Sequence, residues 1–239
     1  MNSGQIPHEA VYALVLYVGA YLFGAIPFGV LIARARGIDI LNFGSGNIGA
    51  TNVMRATGAP LGILVFVLDV AKGAVPALLG RVFLPLPLWG IDAQVLWVGA
   101  GLMAVIGHCL SPFLGFKGGK GVSTALGMVV GAAPLVAVTA FAFFIVLLST
   151  TRYMALSSSI AVSSGVLLTI LLPGQSPQII PIYLAIGAFV SYRHRSNFAR
   201  MRAGTEPKFS FKKTAPTHFI SDSQDVENEK PVMPTRNIG

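Results

Sequence analysis

The chain has 239 residues, 54% of them hydrophobic and only 11% charged, with a mean hydropathy of +0.71; an ordinary soluble domain carries about 25% charged residues. This excludes a soluble enzyme domain and makes the chain an integral membrane protein. The net charge of +8 does not point to nucleic acid, because in such a chain Lys and Arg first mark the cytoplasmic side, and the single cysteine, Cys109, excludes an internal disulfide.

A membrane-crossing helix needs about 20 mostly apolar residues, and the first such run covers residues 11–33. No Lys or Arg precedes it, so it is not a signal peptide. Arg34 and Arg36 follow it, which places the N-terminus outside and the next loop in the cytoplasm.

That loop carries GSGNIGATNVMR, residues 44–55, in which Gly44, Gly46 and Gly49 show the spacing of a dinucleotide-binding fingerprint, with Asp69 twenty residues beyond Gly49. The fingerprint has meaning only between a strand and a helix of a βαβ unit. Here both neighbours are membrane helices, and Asp69 falls inside the second. What remains is a glycine-rich turn bearing Ser45, Asn47, Thr51 and Asn52, closed by Arg55 at a helix start, where freed amides suit an anion. The plainer alternative is a polar loop with Asn and Ser as caps.

The second run, residues 56–80, is apolar except for Asp69 and Lys72. At i and i+3 these are expected to form an ion pair facing the bundle, since an unpaired charge in lipid is costly. A loop with one base, Arg81, and one acid, Asp92, leads to the third run, residues 93–116. It ends near His108, read either as a helix-end residue or as a proton-transfer group.

The second cytoplasmic loop contains Lys117, Gly118, Gly119, Lys120 and Gly121 ahead of Val122, Ser123 and Thr124. It looks like a Walker A loop but fails as one: Leu114 stands where the first glycine belongs, and Gly121 follows Lys120 in place of Ser or Thr. A phosphate cradle survives that failure, whereas an NTPase does not. A basic membrane anchor is the alternative.

Residues 122–151 form one long apolar run. As a single helix it would put Arg152, and then Arg193, Arg195, Arg200 and Arg202, outside. A break near Gly131, Ala132, Ala133 and Pro134 puts them all in the cytoplasm, with the turn at residues 173–177 outside. Seven spans follow, with the N-terminus outside and the C-terminus cytoplasmic, and the helices in the halves of residues 122–151 and in residues 178–192 are short. Beyond the last span lies a basic stretch, residues 193–206, in which His194 and Asn197 share one face if the helix continues. Residues 1–204 are read as one polytopic domain and residues 205–239 as a polar, flexible cytoplasmic tail.

The motifs GSGNIGATNVMR, GHCLSPFLGFKGGKGVST and HRSNFARMRAGTE, in that order on a small polytopic chain, resemble the acyl-phosphate:glycerol-3-phosphate acyltransferases of the PlsY type. Asp69, Val70, Ala71, Lys72 and Gly73, with Pro76, are similar to that family too. The resemblance covers about residues 11–206, and departs from the family in Cys109, Leu110 and Ser111 and in the tail. It implies an all-α integral membrane protein of seven transmembrane helices. It also implies transfer of a fatty acyl group from acyl phosphate to the 1-hydroxyl of glycerol 3-phosphate, giving lysophosphatidic acid at a site open to the cytoplasm.

By that resemblance Ser45, Arg55, Lys117, Lys120, His194 and Asn197 line the substrate site, with Ser45, Lys120, His194 and Asn197 as its catalytic group. Asn47, Thr51, Asn52, Gly118, Gly119, Gly121, Arg195 and Arg200 complete the expected phosphate-binding set. The implied partners are the two substrates, the lipid bilayer and the phosphate acyltransferase that makes acyl phosphate; no cofactor or metal is implied. None of the four histidines begins a His-x4-Asp pair: the residues five after His8, His108, His194 and His218 are Ala13, Phe113, Ala199 and Ser223. The hydroxyl proton is therefore expected to pass to the substrate's own phosphate, with His194 as the protein alternative. A transporter of phosphate-bearing anions is the competing class, and a lipid-binding scaffold a third.

Overall fold

The computed structural model describes residues 7–211. Among the described residues the regular structure is helical: α1 (His8–Ala25), α2 (Phe28–Arg34), α3 (Ala50–Thr57), α4 (Ala59–Phe83), α5 (Ala93–Cys109), α6 (Val122–Ala132), α7 (Pro134–Thr151), α8 (Met154–Leu171), α9 (Ile180–Arg193) and α10 (Arg195–Arg202). Among the described residues, five segments are long and apolar enough to cross a membrane: α1 with α2, α4, α5 with the turn after it, α7 and α8.

Prolines and glycines divide the apolar runs. Pro27 lacks a backbone N–H and kinks the first run between α1 and α2. Pro134 opens α7 where the expected break falls, with Ala133 alone between it and the end of α6. The turn expected at residues 173–177 separates α8 from α9.

In lipid there is little hydrophobic drive between helices, so close backbone packing must hold the bundle. Glycines supply it here. Gly24 of α1 lies against the backbone of Ala104 in α5, and Gly107 of α5 against that of Tyr21. Between α4 and α6, Gly73 faces the carbonyl of Thr124, Gly127 faces that of Val70, and Gly131 packs on Ala74 and Ala77. By contrast α7 buries only Val136 and Ala137, and its Phe141 reaches α4 through a stacked contact with Phe66, ring centres 6.3 Å apart.

The expected ion pair forms inside the bundle, Lys72 Nζ standing 2.9 Å from Asp69 Oδ1 with both side chains buried. Lys72 also lies over the ring of Phe28, 4.8 Å from its centre, so the charge is met on two sides.

The chain does not stop packing at residue 204. Residues 205–211 fold back over the bundle: Phe209 N donates to Arg152 O at 2.7 Å, and Arg152 Nη2 donates to Phe209 O at 3.4 Å. The remainder of the expected tail, residues 212–239, lies outside the described residues.

Candidate active site

The first motif is built around one buried side chain. Asn52, 2% exposed, donates from Nδ2 to the carbonyls of Phe43 and Asn47 at 2.9 Å each and accepts at Oδ1 from Ser45 N at 3.2 Å. Gly44 and Gly46 turn the chain around it at φ +56° and +65°, conformations open to glycine at little cost. Gly46 N donates to Phe43 O, and Gly49 N to Asn47 Oδ1.

The second motif is gripped from two sides. Gly118 N donates to Cys109 O at 3.0 Å and Gly119 N to His108 O at 3.1 Å, pinning the loop to the end of α5. From the other side Arg193 Nη2 donates to Gly118 O at 2.8 Å and Gly119 O at 2.6 Å. Gly119 also packs on the ring of His108, so that a Cβ there would collide with Nε2.

The amides of Ser45, Gly46, Gly49, Gly118 and Gly119 are committed within the protein, so these five fasten the glycine turns rather than adding to the expected anion cradle. The turns are thereby held as mounts for the cationic side chains they carry.

The third motif departs from the expected helix in a useful way. His194 sits at the junction of α9 and α10 rather than inside one helix, yet it and Asn197 are both buried and line the same cavity. Asn197 Oδ1 accepts a hydrogen bond from Lys120 Nζ, and Asn197 Nδ2 donates to Glu206 Oε1 at 2.7 Å. Glu206 Oε2 in turn receives Arg200 Nε at 2.7 Å.

That cavity encloses about 280 Å3. Its polar end carries Ser45, Asn47, Thr51, Arg55, Lys120 and Asn197; its apolar end carries Phe66, Phe141, Phe144, Ile145 and Leu148. A second, mainly apolar crevice shares Phe66, Phe141 and Phe144 with it and is walled by α4, α6, α7, α8 and α9. On the opposite side of Lys120 and Asn197 a polar pocket is lined by Lys117, Lys120, Arg193, Arg195 and Arg200, with no acidic residue in its wall. Arg195 stacks over Tyr192 at 4.3 Å and is exposed, as is Lys117.

Charge crowding and burial set the protonation of this site. Burial pulls Lys120 down to about 8, with Arg200, Arg193 and Arg55 acting the same way and Glu206 opposing them. His194 is pushed down to about 4, mainly by burial and then by Lys120, so it is uncharged at neutral pH. Its Nδ1 lies 2.8 Å from Val190 O. A carbonyl can only accept, so Nδ1 carries the proton and Nε2 is left as the acceptor. Arg55 is also lowered, by burial first.

Sequence reasoning left four contributors out of the expected set. Arg193 lies in the third stretch but grips the loop of the second motif, and Glu206 folds back within the third onto Asn197 and Arg200, relations no local pattern carries. Asp69 and His108 line the cavity as well, with His108 Nδ1 3.7 Å from Asp69 Oδ1; the i,i+3 pairing rule accounted for Asp69 without indicating what lay beside it.

Comparison with known proteins agrees with this arrangement. The family model described as glycerol-3-phosphate acyltransferase matches residues 14–204. A glycerol-3-phosphate acyltransferase of Aquifex aeolicus is 44% identical over 197 residues, covering 82% of this chain and 99% of the relative. One from Geobacter sulfurreducens is 45% identical over 197 residues, covering 82% and 97%. Among solved structures, PlsY, an integral membrane glycerol 3-phosphate acyltransferase, matches in its glycerol 3-phosphate form with a TM-score of 0.76 and 42% identity, over 83% of this chain and 96% of that one. Its lysophosphatidic acid form matches with a TM-score of 0.74. At this identity and coverage the chain belongs to the glycerol-3-phosphate acyltransferase family.

Proposed function

We propose that this glycerol-3-phosphate acyltransferase takes its acyl group from acyl phosphate and passes it to the 1-hydroxyl of glycerol 3-phosphate, at a site facing the cytoplasm. The observation that carries the reading is the division of the site: the main cavity opens at Phe66, Phe141 and Phe144 into an apolar crevice and shares Lys120 and Asn197 with a cationic pocket that has no acidic residue in its wall. An acyl phosphate fits that boundary, with its chain among Phe66, Phe141 and Phe144 and its phosphate by Arg55, Ser45 and Lys120. Glycerol 3-phosphate, with no apolar part, is assigned to the pocket of Lys117, Lys120, Arg195 and Arg200. Lys120 then touches both substrates.

In the reaction the C1 oxygen of glycerol 3-phosphate bonds to the acyl carbonyl carbon, the bond from that carbon to the bridging oxygen breaks, and the hydroxyl proton ends on the departing phosphate. The products are 1-acylglycerol 3-phosphate and inorganic phosphate. Because the leaving group of a mixed anhydride is already good, orientation and charge neutralisation by Lys120, Arg55 and Ser45 carry much of the rate enhancement, and no covalent acyl-enzyme is required. Neutral His194, with Nε2 as acceptor, can orient the hydroxyl or take its proton. Asn52, Gly118, Gly119 and Gly121 act as mounts, Asn47 and Thr51 as cavity wall.

Seven crossings are part of the same proposal, with α6 (11 residues) and α9 (14 residues) as short spans sheltered by their neighbours. The cationic rim then faces the cytoplasm, as the bias of Lys and Arg to that side favours. The phosphate acyltransferase that makes acyl phosphate is the partner this donor implies.

The test is turnover by purified protein in detergent or vesicles, with acyl phosphate, acyl-CoA or acyl carrier protein offered in turn. Acyl transfer from acyl phosphate alone is expected. Uptake of labelled glycerol 3-phosphate into vesicles without conversion would instead favour a transporter.

A further inference from the structure

The cavity is roofed by a segment that begins where the family match ends, at residue 204. Residues 205–211 leave α10 and cross the mouth to the turn between α7 and α8. They are anchored along their length. Glu206 holds Asn197 and Arg200, Pro207 O receives Arg55 Nη2 at 3.4 Å, and Phe209 exchanges two hydrogen bonds with Arg152.

The roof turns aromatic rings toward the site. Phe209 and Phe211 both line the cavity and meet edge to face, ring centres 4.9 Å apart. Their place beside Arg152 puts them near Leu148 of α7 and Met154 of α8, in the same apolar wall. Phe211 nonetheless remains 63% exposed. An aromatic pair with one ring half-buried and the other exposed on the wall of an open cavity gains stability once apolar material covers it. Glycerol 3-phosphate offers none, whereas the hydrocarbon of the donor does.

We infer that Phe209 and Phe211 form the outer wall of the acyl-chain site and set the affinity for the donor's chain. The inference rests on the acyl-phosphate reading above. The roof also links donor to acceptor: Arg55, assigned to the donor phosphate, binds Pro207, and Arg200, assigned to the acceptor phosphate, binds Glu206.

Steady-state kinetics of Phe209→Ala, Phe211→Ala and the double variant test this, with a C16 acyl phosphate as the varied donor. The KM for the donor is expected to rise about five- to tenfold on loss of an aromatic wall, with the KM for glycerol 3-phosphate changed less than about twofold and Phe209→Leu recovering most of the loss. An unchanged donor KM, or equal losses in both KM values and kcat, would overturn it. For a fold-independent check, Phe211→Trp is titrated with the C16 acyl phosphate in the absence of acceptor. A blue shift in emission that inorganic phosphate and glycerol 3-phosphate do not produce is expected, and no shift overturns the proposal. Wild-type protein that fails to use acyl phosphate at all would overturn the donor reading itself, a result visible before any variant is compared.

Discussion

Lys120 and Asn197 are joined through Nζ and Oδ1 across 77 residues of sequence, and this one hydrogen bond stitches the second motif to the third. Replacing Asn197 by Ala frees Lys120 and removes one of the two anchors of Glu206, leaving its contact with Arg200. A loss of about 100-fold in kcat/KM is expected, the scale of deleting one preorganised charge-stabilising group. Because Lys120→Ala breaks the same contact, the double variant should lose much less than the product of the two single losses. Kinetics of the four proteins measure this; multiplicative losses would mean the two side chains act independently.

The pH profile has a definite sign. Lys120, held near 8, must be protonated to meet a phosphate, so kcat/KM falls tenfold per pH unit above about 8. Bound phosphate favours the ammonium form, so the corresponding limb in kcat lies higher. Lys120→Arg should abolish the limb, at reduced rate. His194, near 4, contributes no limb around 6.5. A decline toward low pH, centred near about 6, belongs to the phosphate of the substrate and persists in His194→Ala if the proton passes to phosphate.

Arg193 donates to two carbonyls of the loop that carries Lys120. Arg193→Lys can hold one of them and Arg193→Ala neither. Removing a charged donor from these part-buried acceptors costs on the order of 1.5–3 kcal/mol locally at most. The expected readout is a fall in kcat larger than the rise in either KM, partly recovered in the Lys variant. A change in the KM for glycerol 3-phosphate alone would make Arg193 a direct ligand instead.

Helix packing predicts a contrast between two glycines. At Gly127 any Cβ would meet the carbonyl of Val70, whereas at Gly19 in α1 a Cβ meets nothing within 4 Å. Gly127→Ala forces α4 and α6 apart and should cost about 1–3 kcal/mol. Gly19→Ala should be neutral or stabilising by up to about 1 kcal/mol. Thermal unfolding in detergent, followed by the loss of monodisperse protein, compares the two.

Much of this was legible in the sequence, for identifiable reasons. Hydropathy located the apolar runs, and the sidedness of Arg152 and Arg193 demanded the helix break that Ala133 and Pro134 provide. The Asp69–Lys72 pair followed from helical spacing and the cost of charge in lipid. What escaped was tertiary. The glycine turns advertise free amides, but those of Ser45, Gly118 and Gly119 are taken by Asn52, Cys109 and His108, and the carbonyls of Gly118 and Gly119 by Arg193, up to 75 residues away. Glu206 and the rings after it lie in sequence that reads as polar tail, because their partners, Arg55, Arg152 and Asn197, sit on three separate helices or turns.

α7 is buried only at Val136 and Ala137, so the crevice behind it has a thin wall toward the bilayer. A chain lodged there never has to leave hydrocarbon. In the proposed acyl-phosphate reaction the two products would part into different phases, the lipid sideways past α7 and the phosphate out into water. Such a partition separates them without a pumping step and makes the reverse encounter rare, because the two would have to find one active site from opposite sides of an interface.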